Sequence, residues 1–255
     1  MTPFATLTRQ RALARAACRA LFGAVALAAR PAWASTTGSG NAASETRAVS
    51  GIQAVALRGG IDVVVRQGNS ESVQVRADDN VLPLVQTIVD GSGDARTLRV
   101  QFKPGESVYT RVPVVVTVDV IKLAAISSSG SGGITVEPLK TPLLALRISG
   151  SSDVKLHRLD AEQFSISISG SGNALASGHA AKLTASIAGS GDLRARDLLA
   201  DEVSVSIAGS GNASVTAEKT ISVAIAGSGD VDYGGGAVLA KPRIAGTGSV
   251  RRRQP

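Results

Sequence analysis

Carboxylates that recur at fixed intervals are the first candidates for chemistry in this sequence. Paired Asp or Glu residues across a cleft hydrolyse glycosides, and clustered carboxylates bind divalent cations. Asp153, Asp192 and Asp230 recur every 38 or 39 residues and alternate with Asn173 and Asn212. Glycoside hydrolysis needs two carboxyl groups facing each other across a groove, about 5–9.5 Å apart. A single line of aspartates answers that need poorly, and Asp is common in turns with no catalytic role. Asp78-Asp79, followed by Asn80, reads as a turn for the same reason. His157 and His179 lie 7 and 9 residues after Gly150 and Gly170, so they need not align, and neither belongs to an HExxH-type pattern. Calcium-binding β-rolls place several aspartates in each nine-residue repeat. One Asp or Asn per unit is too few oxygens for a six- to eight-coordinate ion. No serine sits in a nucleophile elbow, and the Gly-Ser-Gly motifs lead into strands rather than helices, which excludes a phosphate loop. The expectation is a non-enzymatic protein with no catalytic, metal or cofactor site.

The elements that would position these residues are set by an internal repeat. ISGSSD at 148–153 recurs as ISGSGN at 168–173, IAGSGD at 187–192, IAGSGN at 207–212, IAGSGD at 225–230 and IAGTGS at 244–249, with a degenerate SSGSGG at 128–133. The first glycines, Gly130, Gly150, Gly170, Gly189, Gly209, Gly227 and Gly246, are spaced by 20, 20, 19, 20, 18 and 19 residues. Within each unit apolar residues alternate with Ser, Thr or Ala, as in Val203-Ser204-Val205-Ser206-Ile207. Alternation sends one set inward and the other to solvent, the signature of a strand. A 20-residue unit with a glycine corner suits one rung of a β-helix, because glycine reaches positive φ without steric cost. Stacking at about 4.8 Å per rung would align Ile148, Ile168, Ile187, Ile207, Ile225 and Ile244 in one internal ladder. The position three after each corner reads Asp153, Asn173, Asp192, Asn212, Asp230. This order separates like charges by about 10 Å and lets the amides bridge between rungs.

Residues 1–34 read as a signal peptide. Arg9, Arg11, Arg15 and Arg19 form a basic region, Ala20 to Ala29 an apolar run, and Ala32-Trp33-Ala34 a cleavage site. No later stretch is apolar enough to span a membrane as a helix. The lone cysteine, Cys18, lies in the basic region, so the exported chain carries neither a disulfide nor a reactive thiol. Five of the 27 basic residues leave with the signal and none of the 20 acidic ones, so the remainder is nearly neutral. There is no basic stripe with interleaved aromatics, which excludes a nucleic-acid reading. Residues 35–45 read as a flexible lead-in, 46–125 as an N-terminal β-rich cap with the first strands, 126–250 as the repeats and 251–255 as a basic tail. Strands are expected at Ile52–Leu57, Ile61–Arg66, Val73–Ala77, Thr97–Phe102 and Val112–Val120.

The segments VSGIQAVALRGGIDVVVRQGNSESVQVRADDNVLPLVQTIVDG, TLRVQF and VPVVVTVDV, followed by the GSGD and GSGN corners, resemble the head GIN domain family of autotransporter adhesins over roughly 46–250. The resemblance implies a right-handed parallel β-helix in an envelope or surface setting, with self-association as the expectation for adhesin heads. A full autotransporter would add a coiled-coil stalk and a C-terminal membrane barrel, and neither pattern occurs here.

The expected fold is therefore all-β: a single-stranded parallel β-helix of about seven rungs with an N-terminal capping region. The expected role is an exported interaction module, in the periplasm or at the cell surface, whose Ser/Thr rows (Ser165, Ser167, Ser186, Ser204, Ser206, Ser222) face a glycan, cell-wall or protein surface. A carbohydrate-active β-helix enzyme and a purely structural envelope protein are the alternatives.

Overall fold

The computed structural model describes residues 34–92 and 96–254, so the signal-peptide reading and Cys18 lie outside the described residues. In chain order the strands are β1 (Ala34–Thr37), β2 (Ala42–Ala48), β3 (Ala54–Gly59), β4 (Asp62–Gln67), β5 (Ser72–Asp78), β6 (Val85–Asp90), β7 (Thr97–Phe102), β8 (Glu106–Tyr109), β9 (Val115–Val120) and β10 (Ala125–Gly130). They continue as β11 (Ile134–Val136), β12 (Leu139–Gly150), β13 (Asp153–Gly170), β14 (Asn173–Gly189), β15 (Leu193–Gly209), β16 (Ala213–Gly227), β17 (Asp230–Gly234), β18 (Val238–Leu239), β19 (Arg243–Gly246) and β20 (Ser249–Arg252). A 3-10 turn at Leu82–Leu84 is the one helical element among the described residues.

From β10 onward every pairing is parallel and in register with the repeat: Gly130 pairs with Gly150, then Gly170, Gly189, Gly209, Gly227 and Gly246. These seven corners bound about six turns of a β-solenoid, in keeping with the β-helix of about seven rungs expected. Each turn has three stretches. Face A runs up to the corner glycine (Phe164–Gly170, for example), face B follows the corner, and a third side returns the chain. The inward residues are small aliphatics, with Phe164 the largest fully buried side chain. Such thin layers fit coils whose backbones stack about 4.8 Å apart. Ile148, Ile168, Ile187, Ile207 and Ile225 line the core as expected, whereas Ile244 is 43% exposed because no described strand packs beyond the last coil.

The N-terminal part enters the same stack out of sequence order. β3 and β4 repeat the strand–corner–strand unit around Gly59, and β10 and β11 stack on one side of them. β7 and β9, later in the chain, stack in parallel on the other side. The antiparallel partners β6 and β5 continue outward from there, and β2 pairs with β5. Arg47 ties the two outermost strands: its Nη1 donates to Val85 O at 2.7 Å and to Thr87 Oγ1 at 3.1 Å, and its Nη2 to Leu82 O at 3.3 Å.

Residues 35–45 differ from a flexible lead-in. β1 pairs with β8 and the start of β2 with β5. The Asp78-Asp79-Asn80 segment holds them: Asp79 and Asn80 form an exposed turn, as expected, whereas Asp78 is not solvated. Asp78 is fully buried and accepts from Gly40 N at 2.7 Å and from the amides of Arg111 and Val112 at 3.1 Å. Burial alone would raise its pKa. The Val112, Gly40 and Arg111 amides outweigh burial and hold the carboxyl below the usual carboxylate value. Asp79 accepts from Ser39 Oγ, and Asn80 Oδ1 from Ser39 N at 2.9 Å, so three adjacent side chains clasp the Thr37–Asn41 turn.

Candidate functional site

The corner is the feature on which every surface depends. At the seven repeat corners the first glycine has φ between +107° and +137°, a region that side chains rarely adopt. Space excludes a side chain as well: a Cβ on Gly170 would stand 2.6 Å from Gly150 O. Stacked corners stay hydrogen-bonded, with Ser151 N, Ser171 N, Ser190 N, Ser210 N and Ser228 N each donating at 2.9 Å to the glycine carbonyl of the coil before.

Beyond the corner the Asp/Asn positions form a bonded column at the edge of face B. Asn173 Nδ2 donates to Asp153 Oδ1 at 2.9 Å, and Asp192 N to Asn173 Oδ1 at 3.3 Å. Asn212 donates to Asp192 Oδ1 through both N and Nδ2 at 3.1 Å, and Asp230 N donates to Asn212 Oδ1 at 3.1 Å. Ser249 completes the column, its Oγ at 2.6 Å and its N at 2.9 Å from Asp230 Oδ1. These two contacts hold the Asp230 carboxyl below its usual pKa. Sequence reasoning missed Ser249 and also Asp62, which accepts from Gly133 N at 2.9 Å. The signal was available, since Asp62 stands three residues after Gly59 as Asp153 does after Gly150.

Gly133 interrupts this column and leaves a cleft of about 480 Å³ lined by Asp62, Ser131, Thr135, Asp153 and Lys155. Asp62 and Asp153 lie two coils apart, about 9–10 Å along the stack. That is the upper end of the spacing an inverting glycosidase uses. Each carboxylate is already engaged, Asp62 by the Gly133 amide and Asp153 by the Asn173 side chain. On the third side Asp160 accepts from Lys140 Nζ at 2.8 Å, which lowers its pKa, and His179 is its register partner in the next coil. His157 lies within the register shift between Leu156 and Leu159 and has no register partner in the next coil. No group of three or more potential metal ligands occurs among the described residues.

Face A is the broadest regular surface. The three outward columns nearest the corner carry Ser165, Ser167 and Ser169 on one coil, then Thr184, Ser186 and Ala188. Ser204, Ser206 and Ala208 follow, then Ser222, Ala224 and Ala226. All twelve are Ser, Thr or Ala, and all but the half-buried Ala224 are exposed. The same coils, residues 153–230, contain fifteen charged residues, and none falls in these columns. Lys182 and Glu202 stand one column further out, as a rim.

Comparisons with known proteins agree with this geometry. A putative adhesin from Bacteroides fragilis NCTC 9343 superposes with a TM-score of 0.79 at 21% identity, covering 86% of this chain and 100% of that one. A putative adhesin from Parabacteroides distasonis ATCC 8503 gives 0.70 at 26% identity, with coverage of 86% and 100%. A putative lipid binding protein from the same organism gives 0.70 at 23% identity with the same coverage. The search of curated proteins gives no match. The profile of the family described as "Putative auto-transporter adhesin, head GIN domain" matches residues 52–237, and the chain belongs to that family.

Proposed function

We propose that the protein is an exported, non-enzymatic interaction module of the cell envelope, adhesin-head-like, and that face A is its contact surface. The twelve uncharged positions of face A carry this reading. A surface kept merely soluble mixes charges of both signs at about 25–35% of positions, which would place three or four among twelve. The twelve positions on these four coils have none; charges stand at the rim and on the flanking coils, where Arg147 pairs with Ser167 and Arg243 with Ala224, the distribution found where a surface is covered by a partner. The exposed hydroxyls repeat about every 4.8 Å along a column, so they offer donors and acceptors in rows to a neutral, hydroxyl-bearing glycan or cell-wall polymer. The twelve positions include no Trp, Tyr or Arg anchor, so one molecule binds weakly and adherence depends on many copies acting together.

Cell fractionation of the tagged native protein, combined with protease shaving of intact cells, tests the setting. The expected result is an envelope pool with the tag removed by external protease. A cytoplasmic pool would overturn the reading, and a shaving-resistant periplasmic pool would replace adhesion with envelope maintenance.

A further inference from the structure

The two ends of the solenoid differ in a way that neither the repeat nor face A explains. After Asp232 the sequence has no acidic residue, while Lys241, Arg243, Arg251, Arg252 and Arg253 follow within 21 residues. All five belong to the last coil or its continuation, where β18 and β19 stack on β16, β20 stacks on β17, and no described strand lies beyond. None of the five forms an ion pair among the described residues, although charges elsewhere do, such as Lys140 with Asp160 and Lys219 with Asp201. The same coil exposes apolar side chains, with Val238 73% and Ile244 43% accessible.

Addition of another strand is opposed at this end. Between the pairs Ile221–Leu239 and Ala224–Arg243 the last coil advances four residues against three, so it bulges at Lys241-Pro242. Proline offers no amide to a new neighbour, and bulges and cations are the usual devices that blunt an edge. Head-to-head association of two copies would oppose two such cationic coils. Head-to-tail stacking would meet the antiparallel strands β2 and β6 bridged by Arg47. A cationic, partly apolar rim closed to strands matches an interface that is anionic outside and apolar beneath.

We infer that the last coil of the solenoid docks onto an anionic membrane surface, with Lys241, Arg243 and Arg251 at the headgroup phosphates and Val238 and Ile244 at the apolar boundary. This surface adjoins the end of face A, where Arg243 stacks on Ala224, but the vesicle test leaves the twelve face A positions of residues 165–226 unaltered, so either reading can fail without the other. Each basic residue near an anionic bilayer contributes about 1 kcal/mol, about fivefold in partitioning. Arg252 and Arg253 have structural roles as well, since Arg252 Nη2 donates to Gly235 O at 2.8 Å and Arg253 Nη2 to Thr216 Oγ1 at 3.3 Å. The test therefore leaves those two in place.

The experiment is co-sedimentation of the exported protein with vesicles of phosphatidylcholine alone or containing one-third phosphatidylglycerol, at low and high salt. The triple variant Lys241→Ser/Arg243→Ser/Arg251→Ser and the pair Val238→Ser/Ile244→Ser are run beside it. The N-terminal segment is common to all samples, so their differences report on the last coil. Expected are binding to the anionic vesicles alone, relief by salt, about a hundredfold loss in the triple variant, a further loss in the apolar pair, and no displacement by millimolar inorganic phosphate. Equal binding to both vesicle types, wild-type binding by a triple variant that unfolds at the wild-type temperature, displacement by phosphate, or binding that tracks self-association in sedimentation velocity would each overturn the inference.

Discussion

In five successive coils the inward isoleucine two residues before a corner faces the second glycine of the next corner. A Cβ on Gly172 would stand 2.6 Å from Ile148 Cγ2, and on Gly211 2.8 Å from Ile187 Cγ2. At the one corner where serine replaces this second glycine, Ser152, the residue in the isoleucine position of the coil before is Ser128. Both are buried, and Ser128 Oγ donates to Ser152 Oγ at 2.7 Å. The pair is a volume exchange: one side chain shrinks where the other grows. Ser128→Ile alone would bring a methyl about 1 Å inside the normal carbon–carbon separation and leave the Ser152 hydroxyl unpaired. Overpacking costs about 1–3 kcal/mol and an orphaned buried hydroxyl about 1–3 more. Ser152→Gly alone orphans Ser128 and opens a void, about 2–3 kcal/mol. The double variant rebuilds the arrangement of the neighbouring coils, where replacing both polar partners by an apolar contact is near neutral. Chemical denaturation of the four proteins measures the coupling, expected at about 4 kcal/mol or more in favour of the double variant. Additivity of the singles within about 0.5 kcal/mol would refute the packing account.

Other substitutions separate backbone need from surface tolerance. Gly170→Ala combines φ of +120° with a near-contact to Gly150 O, and is expected to destabilise by at least about 3 kcal/mol in denaturant titration. At Gly133, where φ is not positive and the nearest atom to an added Cβ is Asp62 Oδ1 at 3.1 Å, alanine is expected to cost under about 1 kcal/mol. Asp78→Ala should expose 34–41 to limited proteolysis while the repeats stay protected. Asp78 and Asp230 have lowered folded pKa values, so their stabilisation is complete above about pH 4 and lost as pH falls through those values. Acid unfolding should therefore lie below pH 4, and Asp78→Asn should flatten its slope. Polysaccharides incubated with the protein should release no reducing ends, and a release abolished by Asp62→Asn or Asp153→Asn would revive the enzyme reading.

What was legible in the residues followed from repetition. Corner glycines at constant spacing and two-residue alternation fix parallel in-register coils, because a one-residue slip would bury the serines and expose the isoleucines and a longer one would take the glycines off the corners. The expected strands at 97–102 and 61–66 match β7 and β4 within a residue. The order of coils at the N-terminal end was not legible. β7 and β9 alternate like any half-buried strand, and nothing local shows that they stack beneath β3 and β4 instead of after them. β1 and β2 were hidden because Ser35–Ser44 has no Val or Ile, and its only β-branched residues are Thr36 and Thr37. Their order comes from the Asp78–Asn80 clasp, some 40 residues away. On face A the Ser/Thr rows were visible, but the absence of charge from three adjacent columns across the four coils of 153–230, and its return at Arg147 and Arg243 on either side, needs the register.

Binding of the exported protein to isolated envelope polymers, compared between a face A variant (Ser167→Lys/Ser186→Lys/Ser206→Lys) and a face B control (Lys155→Ser/Arg194→Ser), tests the contact surface most directly. Multivalent capture that is insensitive to salt, lost in the face A variant and kept in the control is the predicted result. Unchanged capture after three lysines are placed in the neutral columns would contradict the assignment of that face.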